Sequence, residues 1–216
     1  MTQQTKLGQL LYAKSAELNL FSRSDRELIA TKHLPDALAF NKLNIDLSDK
    51  KVIDLGTGGG LPGLALALEF ADANFCLVDA RAKKIKAVSQ IGADLGLANT
   101  SYLSGRLEDL AHEPEFREQF DLALARALAP LPVLLEYACG FLPVGGLLVA
   151  WKGQNVDVEV AEAKKACSEF GFELEQKLAY SLDADFSREL LVFRKSKPTA
   201  KSYPRKAPLP RVKPII

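Results

Sequence analysis

The chain has 216 residues, of which 48% are apolar and 25% are charged, with a formal net charge of +1. This length and composition predict one globular domain that can bury an adequate core. No apolar run approaches the roughly 20 residues of a membrane-spanning helix. We therefore expect a cytoplasmic protein, and we expect it to act as a monomer without a membrane partner.

The N-terminal part of the chain is predicted to be helical. Between residues 7 and 44, apolar residues recur mostly at spacings of three, four or seven, which is helical periodicity. A break falls at residues 22–25, where Ser24 or Asp25 could cap the second helix. We assign residues 1–48 to an N-terminal helical extension.

From residue 51 onward, strand patterns alternate with helical patterns, which predicts an α/β fold with a mostly parallel sheet of the Rossmann-like type. The last two predicted strands follow each other directly and indicate an antiparallel hairpin. We assign residues 49–195 to this core, and residues 1–195 to a single domain. The predicted strands are 51–55, 74–78, 102–103, 121–124, 147–151, 172–180 and 188–194, and the predicted helices are 64–70, 81–97, 131–141 and 157–170.

Residues 196–216 form a basic, proline-rich tail. The last 23 residues contain eight Lys or Arg and no acid, so the rest of the chain carries 20 basic against 27 acidic residues. Five prolines in this segment forbid a long helix or a central strand. We expect an extended arm that contacts a polyphosphate backbone; the alternative is a solvated terminus that offsets an acidic body.

A glycine-rich turn, Gly56-Thr57-Gly58-Gly59-Gly60, follows the first predicted strand. In doubly wound sheets, ligands bind beyond the carboxyl ends of the strands, and glycine lets a cofactor approach the backbone closely. Asp54, at the end of that strand, could anchor turn amides or, through water, a cofactor's ammonium group. Asp79 ends the second strand, 21 residues after Gly58, where a carboxylate suits a ribose diol.

Two cofactor classes are compatible with this turn. The pattern Gly58, Gly60, Gly63 fits a dinucleotide site, but Pro62 removes an amide that a pyrophosphate would use. An acid directly before the glycines suits a cofactor with an amino-acid moiety and would repel a pyrophosphate. The closing hairpin and the segment 105–109 after the third strand also favour S-adenosylmethionine over a nicotinamide cofactor, the hairpin by fold analogy.

The same motifs resemble one family, the bacterial 16S ribosomal RNA guanine-N7 methyltransferases known as RsmG or GidB. The resemblance runs nearly end to end, and the tail contributes to it because generic methyltransferases lack one. Ala37 departs from the serine expected after the His-x-x-Asp motif, and agreement is poor at residues 187–189. The segments that carry the resemblance are LNLFSRSDRELIATKHLPDAL, DLGTGGGLPG, VDARAKKIKAV, SGRLEDL, DLALARALAP and KSYPRKAPLPRVKPI.

This resemblance implies a class I S-adenosylmethionine methyltransferase fold with seven strands and helices on both faces. It also implies methyl transfer from S-adenosylmethionine to N7 of a guanine in 16S ribosomal RNA, the guanine of the 530 loop, either in the RNA or in the small ribosomal subunit. The implied cofactor contacts are Gly56, Leu61, Leu107, Glu108 and Arg126, supported by Asp54, Gly58, Gly60 and Asp79.

The sequence lacks the motif that methylation of an amine uses, which favours N7 as the attacking atom. Guanine N7 has a free lone pair and loses no proton, so it needs positioning and no general base. After the fourth strand the chain has Leu122 to Arg126 in place of the Asn or Asp-Pro-Pro-aromatic motif of amine methylation. We predict no catalytic residue in the strict sense, with Arg126 and Lys152 as pocket candidates.

The three cysteines are Cys76, Cys139 and Cys167, an odd number without metal-like spacing, so we expect reduced core thiols and no metal site. Candidate RNA contacts are Arg81, Lys83, Lys84, Arg106 and the tail. Three alternatives stay open: methylation of another RNA or a small molecule, a non-catalytic regulator that binds the cofactor, and a nicotinamide oxidoreductase.

Overall fold

The computed structural model describes residues 2–153, 156–182 and 187–216. The predicted loop between the last two strands falls largely on residues 183–186, outside the described residues. Within the described ranges the strands are β1 Lys51–Leu55, β2 Asn74–Asp79, β3 Thr100–Ser104, β4 Leu122–Arg126, β5 Leu147–Lys152, β6 Phe172–Ser181 and β7 Ser187–Lys195. The α-helices are α1 Gln3–Leu18, α2 Arg23–Glu27, α3 Leu34–Leu38, α4 Gly63–Glu69, α5 Ala82–Leu95, α6 Leu107–Leu110, α7 Leu131–Cys139, α8 Val156–Glu162, α9 Lys164–Phe170 and α10 Leu209–Val212.

The strands form one seven-stranded sheet in the order β3-β2-β1-β4-β5-β7-β6. The pairs β1/β2, β2/β3 and β4/β5 are parallel, whereas β7 runs antiparallel to both β5 and β6. This mixed sheet confirms the predicted fold class, including the antiparallel hairpin that closes it. Among the described helices, none is long and apolar enough to cross a membrane.

By the density of contacts between its Cα atoms, the chain divides into two compact units, Met1–Gly105 and Arg106–Ile216. The predicted division into residues 1–48, 49–195 and 196–216 follows sequence patterning instead, and it stays a prediction.

In the first unit, the helical extension begins and ends with identifiable caps. Thr2 accepts a hydrogen bond from the Thr5 amide at the start of α1, and Asn19 closes that helix in a left-handed conformation with φ of 50°. Ser22, whose hydroxyl accepts from the Asp25 amide at 3.1 Å, caps α2. The predicted capping by Ser24 or Asp25 is wrong, because the helix starts earlier than the apolar pattern indicates.

Strand β3 is longer than its sequence predicts. Only residues 102–103 are apolar enough to read as a strand, yet pairing with β2 extends β3 from Thr100 to Ser104. Backbone hydrogen bonding to a buried neighbour outweighs the weak strand preference of serine. The hydroxyls of Thr100 and Tyr102 also form a hydrogen bond of 2.8 Å, which further stabilises this polar edge strand.

In the second unit, helix α7 is buried along its whole length, including Glu136, whose side chain is fully buried. Trp151 of β5 is 5% exposed and belongs to the core. The single helix predicted for residues 157–170 is two helices, α8 and α9, separated at the buried Ala163.

The tail is anchored to the second unit. Arg117 donates hydrogen bonds to the carbonyl oxygens of Thr199, Ala200 and Tyr203 at 3.0 to 3.2 Å. The Tyr203 ring packs edge-on against Phe170, with centroids 5.0 Å apart. The expectation of an extended arm is therefore wrong for much of this segment. The prolines prevent a long helix or a central strand, but their neighbours still offer carbonyl groups to side chains of the body.

The strongest anchor is an ion pair between Arg205 and Glu136. The guanidinium contacts both carboxylate oxygens, from Nε at 2.9 Å and from Nη2 at 2.7 Å, and the Arg205 amide donates to the same carboxylate at 2.8 Å. These bonds raise the pKa of Arg205 above its usual value. Two parallel hydrogen bonds from a guanidinium to a buried carboxylate are strong because water does not compete for that carboxylate.

We expect Arg205→Ala to lower the free energy of unfolding by about 3 kcal/mol, since it leaves the Glu136 carboxylate buried and unpaired. Urea denaturation measures this loss. Lys206→Ala is the matched control, because it truncates the adjacent, exposed basic residue. Equal stability of the two variants would contradict a structural role for the ion pair.

Candidate cofactor site

The glycine-rich turn has the backbone that its composition predicts. Gly56, Gly58 and Gly60 have φ values of 66°, 58° and 94°, a region that disfavours other residues. A Cβ atom at Gly60 would also lie 2.7 Å from Leu64. At Gly58, in contrast, the nearest atoms would lie 3.8 Å or more from a Cβ atom, which is ordinary contact, so the positive φ alone accounts for glycine there.

Asp54 fastens the turn to the helix that follows it. The carboxylate is 1% exposed, and Oδ2 accepts hydrogen bonds from Thr57 Oγ1 at 2.6 Å and from the Gly63 amide at 2.9 Å. A Cβ atom at Gly63 would approach Oδ2 to 2.7 Å, so glycine is required for this contact. Of the two predicted roles, this geometry supports anchoring of turn amides.

Asp79 holds the turn from the end of β2. Its Oδ2 accepts from the Gly58 amide at 3.1 Å, and its Oδ1 accepts from the Arg81 amide at 2.8 Å. The residue is half-buried, and each carboxylate oxygen can accept a second hydrogen bond. The carboxylate thus lies beside the turn and keeps accepting capacity for a ribose hydroxyl.

The contacts of Asp54 and Asp79 bring together the predicted site residues of the first unit at this turn. Leu61, which directly follows Gly60, is 4% exposed. Thr57 is a further residue that holds the turn, and the sequence analysis did not single it out. It is 3% exposed, and its amide donates to the Val78 carbonyl at 2.8 Å, which ties the turn to β2. A hydroxyl three residues after a buried carboxylate and inside a glycine run was the available signal.

In the second unit, Leu107 and Glu108 lie in the short helix α6 and are 7% and 6% exposed. Burial raises the pKa of the Tyr137 hydroxyl, and the charge of Glu108 raises it further. Arg211 of the tail donates to that hydroxyl at 3.2 Å. Glu108 therefore belongs to a buried polar cluster that includes a tail residue.

Arg126 and Lys152 lie at the carboxyl ends of adjacent strands, β4 and β5. Arg126 is half-buried, and Ala127 after it has a left-handed φ of 53°. Strained backbone of this kind often occurs at functional sites. The Lys152 ammonium donates to Glu159 Oε1 at 2.6 Å and to the Ala129 carbonyl at 3.1 Å, so it supports the turn after β4.

The thiols are unsuited to nucleophilic attack. Burial raises the pKa of Cys139 to about 12 and that of Cys167 to about 11, so both stay protonated at neutral pH. All three cysteines are free: Cys76 and Cys139 are buried, but Cys167 is only half-buried and is less of a core thiol than predicted. Within the described ranges, no cluster of three or more His, Cys, Asp or Glu could hold a metal ion.

We expect Thr57→Val to destabilise the fold by about 2 kcal/mol, because the isosteric side chain loses a hydrogen bond to a buried charge. It should also weaken binding of S-adenosylmethionine, since the turn loses one of its anchors. Chemical denaturation and calorimetry measure the two effects. Thr31→Val, at an exposed threonine of the extension, should change neither, and equal effects of both substitutions would contradict the assignment.

Comparison with known proteins agrees with this geometry. The sequence matches the GidB family, described as rRNA small subunit methyltransferase G, over residues 2–185. It is 36% identical to ribosomal RNA small subunit methyltransferase G of Clostridium novyi, over 96% of this chain and 86% of that protein. Identity to the protein of the same name from Gloeobacter violaceus is 38%, over 97% and 84% of the two chains.

The fold is similar to that of precorrin-6y C5,15-methyltransferase from Geobacter metallireducens, with a TM-score of 0.53. That match has 11% identity and covers 74% of this chain and 87% of the other, so it bears on the fold alone. The family match extends over most of the chain, including the glycine-rich turn, both aspartates and the end of β4. This chain belongs to the GidB family of small-subunit ribosomal RNA methyltransferases.

Proposed function

We propose that this protein transfers a methyl group from S-adenosylmethionine to N7 of a guanine in 16S ribosomal RNA, the guanine of the 530 loop. We further propose that it acts in the cytoplasm as a monomer, on the RNA or on the small subunit. The observation that carries the proposal is the turn 56–60, held by two aspartates in a chain that matches the family over residues 2–185.

Bound S-adenosylmethionine would supply an electrophilic methyl group on a sulfonium ion. On our proposal, Gly56, Gly58 and Gly60 let the backbone approach the cofactor, beside Leu61. Asp79 accepts from the ribose hydroxyls with the capacity that its two amide contacts leave free. The remaining proposed contacts are Leu107 and Glu108 at the adenine and Arg126 at the end of β4, with Asp54 supporting the turn.

The chemistry required of the protein is positioning. Guanine N7 attacks with a lone pair and releases no proton, so an in-line approach to the methyl group at near-attack distance suffices. The raised pKa values of Cys139 and Cys167 argue against a thiolate mechanism of the kind that cytosine C5 methylation uses. The Lys152 ammonium binds Glu159 and the Ala129 carbonyl, so its proposed role is to support the turn after β4 at the edge of the pocket.

Contact with RNA requires exposed positive charge. Five of the eight basic residues among the last 23 use their side chains in hydrogen bonds within the chain, as Arg205 does with Glu136. The other three are exposed lysines whose ammonium groups contact no acceptor in the described residues. We propose that these three contact RNA phosphates, together with exposed residues at the start of α5. The tail lysines are Lys201, Lys206 and Lys213, and the others are Arg81 and Lys83.

We expect Arg126→Ala to lower methyl transfer to 16S ribosomal RNA by about 100-fold, because misplacement at the reacting centre has effects of this size. Cys139→Ala is expected to retain activity. The assay transfers a labelled methyl group to RNA from a strain that lacks this protein, and the modified nucleotide is then mapped. Loss of activity in Cys139→Ala with retention in Arg126→Ala would refute the assignment.

The same material separates the alternatives. Methyl incorporation into metabolites or another RNA, without incorporation into 16S RNA, would replace the proposed substrate. Binding of S-adenosylmethionine without turnover on any RNA would identify a regulator. Protection against heat by NAD and not by S-adenosylmethionine would identify a nicotinamide protein.

For the tail, we expect replacement of Lys201, Lys206 and Lys213 by alanine to weaken RNA binding and to flatten its dependence on salt. Each lost phosphate contact should reduce the slope of log K against log salt by about 0.7 to 0.9. Binding measured over a range of salt concentrations checks this. The control replaces three exposed lysines elsewhere, Lys42, Lys164 and Lys165. An unchanged slope in the tail variant would remove the tail from the RNA interface.

A further inference from the structure

The side chain of Phe21, from the helical extension, lies against the glycine-rich turn. A Cβ atom at Gly59 would lie 2.5 Å from Phe21 Cε2, 2.9 Å from Cζ and 3.2 Å from Cδ2. Contacts of a Cβ atom shorter than about 3 Å are steric clashes, so a side chain at this position would collide with the ring. Gly59 therefore lacks a side chain because an aromatic ring occupies that space, which is a different reason from the positive φ of its neighbours Gly58 and Gly60.

The chain holds Phe21 in place from both sides. Asn19 ends α1 in a left-handed conformation, Leu20 is 5% exposed, and Ser22 caps α2. Phe21 thus lies in a short link whose two ends are fixed by caps and whose middle is buried. Such a link leaves the ring little freedom to move away from the turn.

A second ring packs against Phe21. The centroid of His33 is 5.2 Å from that of Phe21, with a tilt of 32°. His33 Nε2 also lies 3.4 Å from Asp25 Oδ1, which connects this ring to α2. If the Phe21 ring moved to make space for a larger residue at position 59, the His33 ring packed against it would have to move as well.

In the described part of the chain, the amide of Gly59 is not held by a hydrogen bond, unlike those of its neighbours. The amides of Thr57, Gly58 and Gly60 donate to the Val78 carbonyl, the Asp79 carboxylate and the Thr57 carbonyl, respectively. Among the described residues, the Gly59 amide donates to no acceptor. Packing against Phe21 is therefore the contact that sets the position of Gly59 within the turn.

We infer that Phe21 is a positioning residue for the methyl donor: it holds Gly59 so that the turn keeps the shape that binds S-adenosylmethionine. The inference rests on the proposed cofactor and assigns part of donor binding to the helical extension. A turn without this contact would sample other conformations at Gly59, and ordering it on binding would cost affinity.

The test is a double-mutant cycle in which calorimetry measures the dissociation constant for S-adenosylmethionine. We expect Gly59→Ala to weaken binding about 10-fold, because the added Cβ overpacks against the ring. We expect Phe21→Ala to weaken it about 3-fold or more, because the turn loses its support. In the Phe21→Ala background, where the ring is absent, the loss of donor affinity caused by Gly59→Ala should be at least about 3-fold smaller than in the wild-type background.

Two further variants keep the result interpretable if Phe21→Ala folds poorly. Phe21→Leu retains an apolar contact and should lose less affinity than Phe21→Ala. Tyr12→Ala removes an exposed aromatic of the same extension and should bind the donor as the wild type does. In turnover assays, the loss in the Phe21 variants should appear in KM for S-adenosylmethionine, with kcat recovered at saturating donor.

Donor affinities of Phe21→Ala and Gly59→Ala equal to wild type, or additive effects in the double variant, would overturn the inference. Absence of donor binding by the wild-type protein would overturn it together with the proposed cofactor. If the wild type binds the donor but methylates no ribosomal RNA, the proposed substrate fails, and the affinities of the four proteins still decide the role of Phe21.

Discussion

One buried carboxylate oxygen, Oδ2 of Asp54, holds the glycine-rich turn in shape. It accepts from the Thr57 hydroxyl inside the turn and from the Gly63 amide at the start of α4. A carboxylate that is 1% exposed has little access to water and must find donors within the protein. The turn supplies those donors, so the carboxylate and the turn hold each other in place.

The second aspartate has a different environment and a different task. Asp79 is half-buried, and its two oxygens each meet one backbone amide, at Gly58 and at Arg81. It can therefore restrain the turn and still accept from a ligand. The two acids therefore differ in role: Asp54 joins the turn to the start of α4, and Asp79 joins it to the end of β2.

In each unit, a segment outside the sheet contacts residues close to the proposed site. Phe21 of the extension packs on Gly59, and Arg211 of the tail donates to the Tyr137 hydroxyl and to the Leu128 carbonyl at 3.1 Å. Both segments also have conventional anchors, such as the ion pair between Arg205 and Glu136. Much of the positive charge that suggested a free RNA-binding arm is thus used to attach the tail to the body.

The sequence by itself determined the features that depend on local backbone requirements. Alternating strand and helix patterns, glycines that need positive φ, and an acid at the end of the first strand identified the fold, the turn and its anchor Asp54. Asp79 was predicted only as a partner for a ribose, and its bond to the turn came from the structure. The resemblance to the GidB family added the contacts at Leu107, Glu108 and Arg126. These features could be predicted because residue type constrains conformation over a few positions.

The tertiary structure alone decided the contacts between distant positions. Arg205 meets Glu136 across 69 positions of the sequence, and Phe21 meets Gly59, although neither pair has a periodic or composition signal. The length of β3 depends on pairing with β2, and the course of the tail depends on carbonyls that Arg117 can reach. Such contacts follow from which surfaces the folded chain brings together, and a single sequence does not encode them in any local pattern.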